Sequence, residues 1–272
     1  MPAALAKLGK SIADVRWILL THGHVDHVGG AVALWEATGR QATVVISELD
    51  AHFLRSREAH VEEAVALRGA YVDADALRAS KSAEVREAIS GEMEPQLTVA
   101  DGDVLDLCGV SVRVVSVPGH TPGAVAYVVS GPHGEAEHVF VGDAAQGYGA
   151  ASGFPGYQEP LVARASLERL QALAPQRLYL GHPYRRADET AFDVVLDADG
   201  ARQALTASLT RLGEIGDAAA HAPRRASDSA YSPFAAHAAE LGYTGDPTIE
   251  PCPFFTTLNG FTALNGNAHR EH

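Results

Sequence analysis

The stretch ILLTHGHVDHVGG, residues 18–30, runs from apolar side chains straight into three histidines and an aspartate. The residues just before it, VRWILLT at 15–21, are short, apolar and rich in strand formers, which predicts a buried strand. Polar, metal-capable groups at the end of such a strand are costly unless they find partners. His22 and His24 are two residues apart, so in an extended chain they share a face and can grip one ion. Asp26 and His27 follow where the chain must turn toward the pair Gly29 and Gly30, and they can point at a neighbouring position. Imidazole nitrogen with carboxylate oxygen is a ligand set that zinc accepts, at roughly 2.0–2.2 Å.

Three later segments repeat one design, an apolar strand followed by glycine and a single ligand-type group. They are VVSVPGH ending at His120, HVFVGD ending at Asp143 and RLYLGH ending at His182. Taken singly, each reads as an ordinary polar strand end. Taken with the opening cluster, they offer five histidines and two aspartates on four strand ends. Two ions with a shared carboxylate account for all seven. No GxSxG elbow is present to supply a serine nucleophile. Tyr184, two residues beyond His182, can donate a hydrogen bond to a developing oxyanion. The other histidines, His60 among them, read as surface or helix residues.

The rest of the chain frames this set. Its 272 residues, 46% hydrophobic and 20% charged, can bury one large core, or one core plus an appendage. A formal net charge of −13 argues against nucleic acid or an anionic membrane as the main partner. No apolar run approaches the roughly 18–20 residues of a spanning helix, and the N-terminal stretch does not read as a secretion signal. Cys108 and Cys252 show no CxxC spacing and read as reduced thiols of a cytoplasmic protein. Past the cluster, AVALWEATG reads as a helix closed by Gly39 and ATVVIS as a second buried strand. Ser47 and Asp50 resemble a capping box opening a helix through ELDAHFLRS. Residues 57–91 read as a helical insertion of two or three helices. From Leu97 onward the pattern is a strand meander, then the helix SLERLQALAP, then a mainly helical end. The order predicts a layered α/β protein with its site along the strand ends.

The ordered set HxHxDH followed by separate His, Asp and His resembles the metallo-β-lactamase superfamily, over about residues 14–184. The resemblance implies an α/β (α+β) fold, the four-layer αβ/βα sandwich, with the metals at one edge. It implies that His22, His24 and His120 hold a first metal, that Asp26, His27 and His182 hold a second, and that Asp143 bridges them. Two zinc ions are implied, with iron and manganese fitting the same ligands. Only 21 residues precede His22. Members of the family carry more strands there, so an incomplete first sheet is expected. Exposed apolar surface and a bare sheet edge need cover, which predicts a homo-oligomer and makes the aromatic tail around Phe254 to Phe261 a candidate seal. Residues 1–215 are expected to form the catalytic domain and 216–272 a C-terminal extension.

The activity implied is metal-dependent hydrolysis of an ester, thioester or lactone by a metal-bridging hydroxide, with Asp26 and Tyr184 as catalytic groups and a small molecule as substrate. Two alternatives stand beside it: a mononuclear-iron oxidoreductase like the persulfide dioxygenases, and a non-catalytic binding module on the same fold. Specificity is expected from the 57–91 insertion and from the segment AAQGYGAASGFPGYQEP after Asp143, with Tyr148, Phe154 and Tyr157. Both look apolar to mildly polar, which points toward an uncharged or acyl substrate.

Overall fold

The computed structural model describes residues 2–69, 73–130, 138–150, 154–221, 238, 240–245, 254 and 256–261. An exposed helix α1 (Pro2–Lys7) leads to strand β1 (Trp17–Leu19), the short helix α2 (Val25–Val28), α3 (Ala31–Ala37) and strand β2 (Thr43–Ser47). Helices α4 (Ala51–Arg55), α5 (Arg57–Arg68) and α6 (Ala74–Ala88) follow, so the predicted insertion holds two helices. A strand series comes next: β3 (Leu97–Val99), β4 (Val104–Asp106), β5 (Ser111–Ser116), β6 (Val125–Ser130) and β7 (His138–Gly142). The chain continues with α7 (Pro160–Ala172), β8 (Arg177–Leu180), β9 (Val195–Asp197) and α8 (Ala198–His221).

Strands β1, β2 and β3 pair in parallel as a three-stranded sheet, and β4 to β9 form a six-stranded sheet in chain order. Within the second sheet only β7 and β8 run parallel. That parallel pair needs a crossover, and α7 supplies it. Three apolar layers separate four structural ones. Ile18, Leu20, Val44 and Ile46 face Val28, Ala31 and Leu54 from α2, α3 and α4. The other face of the first sheet, with Val45 and Val99, meets Val112, Val114, Val125 and Tyr127 of the second. The far face of the second sheet packs Val139, Val141, Leu178 and Leu180 against Leu167 and Leu170 of α7 and Leu205 and Leu212 of α8. Helix, sheet, sheet, helix is the αβ/βα sandwich expected from the sequence.

The first sheet ends at β1, and this leaves a face open. By register, Phe140, Tyr179 and Val195 share the side of the second sheet that holds buried Tyr127 and Val114. Yet Phe140 is 38% and Val195 44% exposed. The described residues of the tail do not cover them. Phe254, Leu258 and Phe261 join the core on the opposite side, with Phe154, α7 and α8. Gly216 of α8 leaves room for the Phe261 ring. The expected boundary at 215 falls inside α8. Cys108 is exposed and free, while Cys252 and Phe255 lie outside the described residues.

Candidate metal centre

Strand β1 delivers the opening cluster to the edge between the sheets. Val125 donates its N–H to the Thr21 carbonyl at 2.8 Å, and the Tyr127 hydroxyl donates to the Leu20 carbonyl at 3.0 Å. The end of β1 is therefore fixed against β6 before the histidines begin. His22 and His24 lie in extended chain, with His24 at the N-cap of α2. Asp26 and His27 sit in the first turn of that helix, which swings them to a second position. His120 follows β5, Asp143 follows β7 and His182 follows β8.

All seven predicted groups come together, in two clusters. The ligand atoms of His22, His24 and His120 lie within 4.8 Å of one another, as do those of Asp26, His27, Asp143 and His182. Asp143 reaches both. Its Oδ2 is 3.5 Å from His120 Nε2 and 3.4 Å from His182 Nε2, while its Oδ1 is 3.4 Å from His27 Nε2. Asp26 Oδ2 is 3.0 Å from His182 Nε2 and 3.5 Å from His27 Nε2. Atoms bound to one ion at roughly 2.1 Å stand about 3–3.6 Å apart, so these spacings match a shared ion. Glycine makes one approach attainable: a Cβ at Gly181 would overlap Asp143 Oδ1.

The donor chemistry fits a cation. His120 Nδ1 is 2.5 Å from the Gly156 carbonyl. A carbonyl only accepts, so that nitrogen carries the proton and Nε2 presents a lone pair. His22 Nδ1 lies 3.2 Å from Thr21 Oγ1, which suits the same tautomer. Burial, then the surrounding imidazoles, hold His22 and His24 well below the usual histidine value, so both are neutral. His22 Nε2, His120 Nε2, Asp143 Oδ1 and the Tyr184 hydroxyl are buried with no hydrogen-bond partner among the described residues. Each such orphan costs roughly 1–3 kcal/mol, and here four converge on one spot. In the second cluster, hydrogen bonding to Asp143 raises His182 to about 9. Burial opposes ionisation of Asp143, but the adjacent imidazoles of His182 and His27 hold it well below the carboxylate range. An ion there must displace the His182 proton.

Several supporting residues carry no local sequence signal. Asp50 is fully buried at the start of α4. It makes no cap of its own helix, contrary to the expected capping box, because its oxygens turn to the ligand loops instead. They accept from Gly23 N–H, Thr121 Oγ1 and Gly123 N–H. Gln146 holds the loop beside His120, donating from Nε2 to the Asp143 and Gly156 carbonyls and accepting at Oε1 from Gly156 N–H. Glu63 of α5 places Oε2 4.0 Å from His24 Nε2 and accepts from Gln158. Burial raises its carboxyl above the usual value.

The clusters open into a cavity of about 420 Å³. One face of α5 lines it at a helical spacing, with His60, Glu63, Ala64, Leu67 and Arg68, and α6 adds Lys81 and Glu84. The insertion is thus a wall over the centre, and its charges correct the apolar reading. His60 is a helix residue, as expected, but buried. Of the aromatics expected in the substrate loop, Phe154 reaches the cavity. The Tyr157 hydroxyl turns inward to the Ala144 carbonyl, and Tyr148 pairs with Glu214 on the outside.

Comparison with known proteins agrees with this geometry. The family description "Metallo-beta-lactamase superfamily" matches residues 1–182. The chain belongs to that superfamily. A probable metallo-hydrolase of Burkholderia pseudomallei is 30% identical over 191 residues, 67% of this chain and 56% of its own length. A hydroxyacylglutathione hydrolase of Rhodobacter capsulatus is 31% identical over 66% of this chain and 54% of its own length. The chain thus spans little more than half of either relative. A hydroxyacylglutathione hydrolase of Acidiphilium cryptum is 30% identical over 85% of the chain and 76% of its own length. Among solved structures, a metallo-beta-lactamase family protein of Thermus thermophilus superposes with a TM-score of 0.67 at 23% identity, covering 98% of this chain and 80% of that one. That likeness is one of fold.

Proposed function

We propose that this protein is a metallo-hydrolase that uses two ions, zinc in the first instance, to cleave an ester, thioester or lactone. The observation that carries the reading is Asp143, whose two oxygens reach into both ligand clusters at 3.4–3.5 Å. His22, His24 and His120 would hold one ion; Asp26, His27 and His182 the other; Asp143 both. Bound there, such a pair supplies a solvent molecule whose pKa falls toward neutrality and an electrophile for the substrate oxygen. The chain's own groups do the rest. Asp26, 57% exposed and 3.0 Å from His182, accepts the proton of the attacking water and passes it to the leaving group. The buried Tyr184 hydroxyl, without a hydrogen-bond partner among the described residues, donates to the oxygen that gains charge. The α5–α6 wall orients the acyl portion and limits water. Relatives whose name specifies hydroxyacylglutathione as substrate favour the thioester arm.

The same reading includes a cytoplasmic setting, for which the exposed thiol of Cys108 is suited, and a homo-oligomer, for which the open face at Phe140 and Val195 is the support. Sedimentation over a concentration series checks the latter; a monomer throughout removes it. For the activity, metal analysis of protein purified without added metal comes first, followed by a panel of lactones, thioesters and phosphodiesters. Two zinc per chain with turnover of an acyl substrate is the expected outcome. One iron would transfer the protein to oxygen chemistry, and a metal-free, inert protein would make it a binding module.

A further inference from the structure

We infer that Asp50 is a positioning residue for the His22, His24 and His120 cluster alone, and that it sets that cluster's hold on an ion independently of the second cluster. This rests on the reading above that the three imidazoles bind metal. The argument begins with where the Asp50 hydrogen bonds go. Oδ2 takes the Gly23 N–H at 2.8 Å and the Thr121 hydroxyl at 2.8 Å, and Oδ1 takes the Gly123 N–H at 2.9 Å. Gly23 lies between His22 and His24, and Thr121 adjoins His120. One carboxylate therefore ties together the two loops that carry all three imidazoles. None of these three bonds goes to α2, which carries Asp26 and His27, or to the turns of Asp143 and His182.

The fit around it is tight. Asp50 is fully buried. A Cβ at Gly123 would overlap its Oδ1, and a Cβ at Gly23 would overlap the Phe53 ring one turn along α4. The loops cannot shift toward α4, and three hydrogen bonds keep them from shifting away. All three partners are neutral donors, and the buried carboxylate accepts from each of them. An amide at this position would turn an N–H₂ toward one of those donors, losing one bond and placing two donors in contact. Outer groups that orient metal ligands commonly change affinity by about 10- to 100-fold when removed. Here the change falls on one cluster, because the second is fixed by β7, β8 and α2.

The test is metal titration of the full chain, stripped of metal and refilled with Co²⁺ and, separately, Zn²⁺. Wild type is compared with Asp50→Asn, with Thr121→Val, which removes a single bond, and with His24→Ala as a marker for the cluster. The expected result is two ions in the wild type, with Asp50→Asn weakening one of them about 10- to 100-fold and leaving the other unchanged. The weakened ion should be the one lost in His24→Ala, as judged by the visible Co²⁺ spectrum. Thr121→Val should weaken the same ion by a smaller factor, which keeps the test open if Asp50→Asn does not fold. Unchanged affinity for both ions, or equal weakening of both, overturns the inference while leaving the metal reading intact. A wild type that binds no ion, or a His24→Ala variant that titrates as wild type, would instead remove the reading on which it rests.

Discussion

Asp143 illustrates how much one side chain can decide. Its oxygens face both clusters, and it is the only anion of the seven that is buried. Without it, two cations about 3.5–4 Å apart would repel each other with no charge between them. Asp143→Ala should therefore lose both ions and all turnover, measured by metal content and by rate; a variant that stays fully metallated would refute its bridging role. Tyr184→Phe is a finer probe. It removes only a hydroxyl, so metal content should persist while kcat falls about 100-fold and KM changes little. An unchanged kcat would return Tyr184 to packing. At this scale the candidate metal-binding groups were legible as a pattern, because the opening cluster and His120, Asp143 and His182 each come just after an apolar strand. Asp50, Gln146 and Glu63 were not legible. Asp50 acts across 27 to 73 residues of chain, and its local context mimics a helix cap. Glu63 sits among other acidic residues of α5 and is singled out only by the face it presents.

Elements were legible where their own pattern matched their burial. Strands β1, β2, β5 and β6 are apolar because layers cover both faces, while β7 and β8 bury one face and leave the other open at Phe140, and the expected strands coincide with them. The insertion was legible as helix but not as a charged cavity wall, since α5 mixes polar residues into its buried stripe of His60, Val61, Ala64 and Arg68. His60 ties that helix to α4, with Nε2 donating to the Phe53 carbonyl at 3.0 Å. Burial lowers its pKa to about 4, from 6.5. The folded state thus keeps His60 neutral between those values while the unfolded chain takes up a proton. Its contribution to stability is complete above pH 6.5 and is lost as the pH falls to about 4, with a ceiling of roughly 3 kcal/mol. In metal-free protein, His60→Gln keeps a donor for Phe53 and removes the titration. Denaturant unfolding should show a smaller loss of stability between about pH 7 and about pH 4.5 in the variant than in the wild type. Parallel curves would mean that α5 docking does not depend on this imidazole.

For the molecule as a whole, the candidate centre lies where the two sheets meet. His22 and His24 follow β1 of the first sheet, whereas His120, Asp143 and His182 follow β5, β7 and β8 of the second. The first sheet has only three strands and one open flank, so the contact between sheets rests largely on Val45, Val99, Val114 and Tyr127. Ions held by both sheets would add a clamp that the unfolded chain lacks. Ligand binding to the native state alone stabilises by about 2.7 kcal/mol at 100 times Kd and about 4.1 kcal/mol at 1,000 times. In a chain of this size each kcal/mol moves Tm by roughly 2–4 °C. Chelation should therefore lower Tm by about 5–15 °C, and zinc should restore it in proportion to its concentration. Because the clamp joins sheets rather than strands within one sheet, the loss should appear first as hydrogen exchange in β1 and β2, ahead of β6 to β8. Exchange that rises evenly across both sheets, or a Tm indifferent to the chelator, would mean that the sheets hold together without the ions.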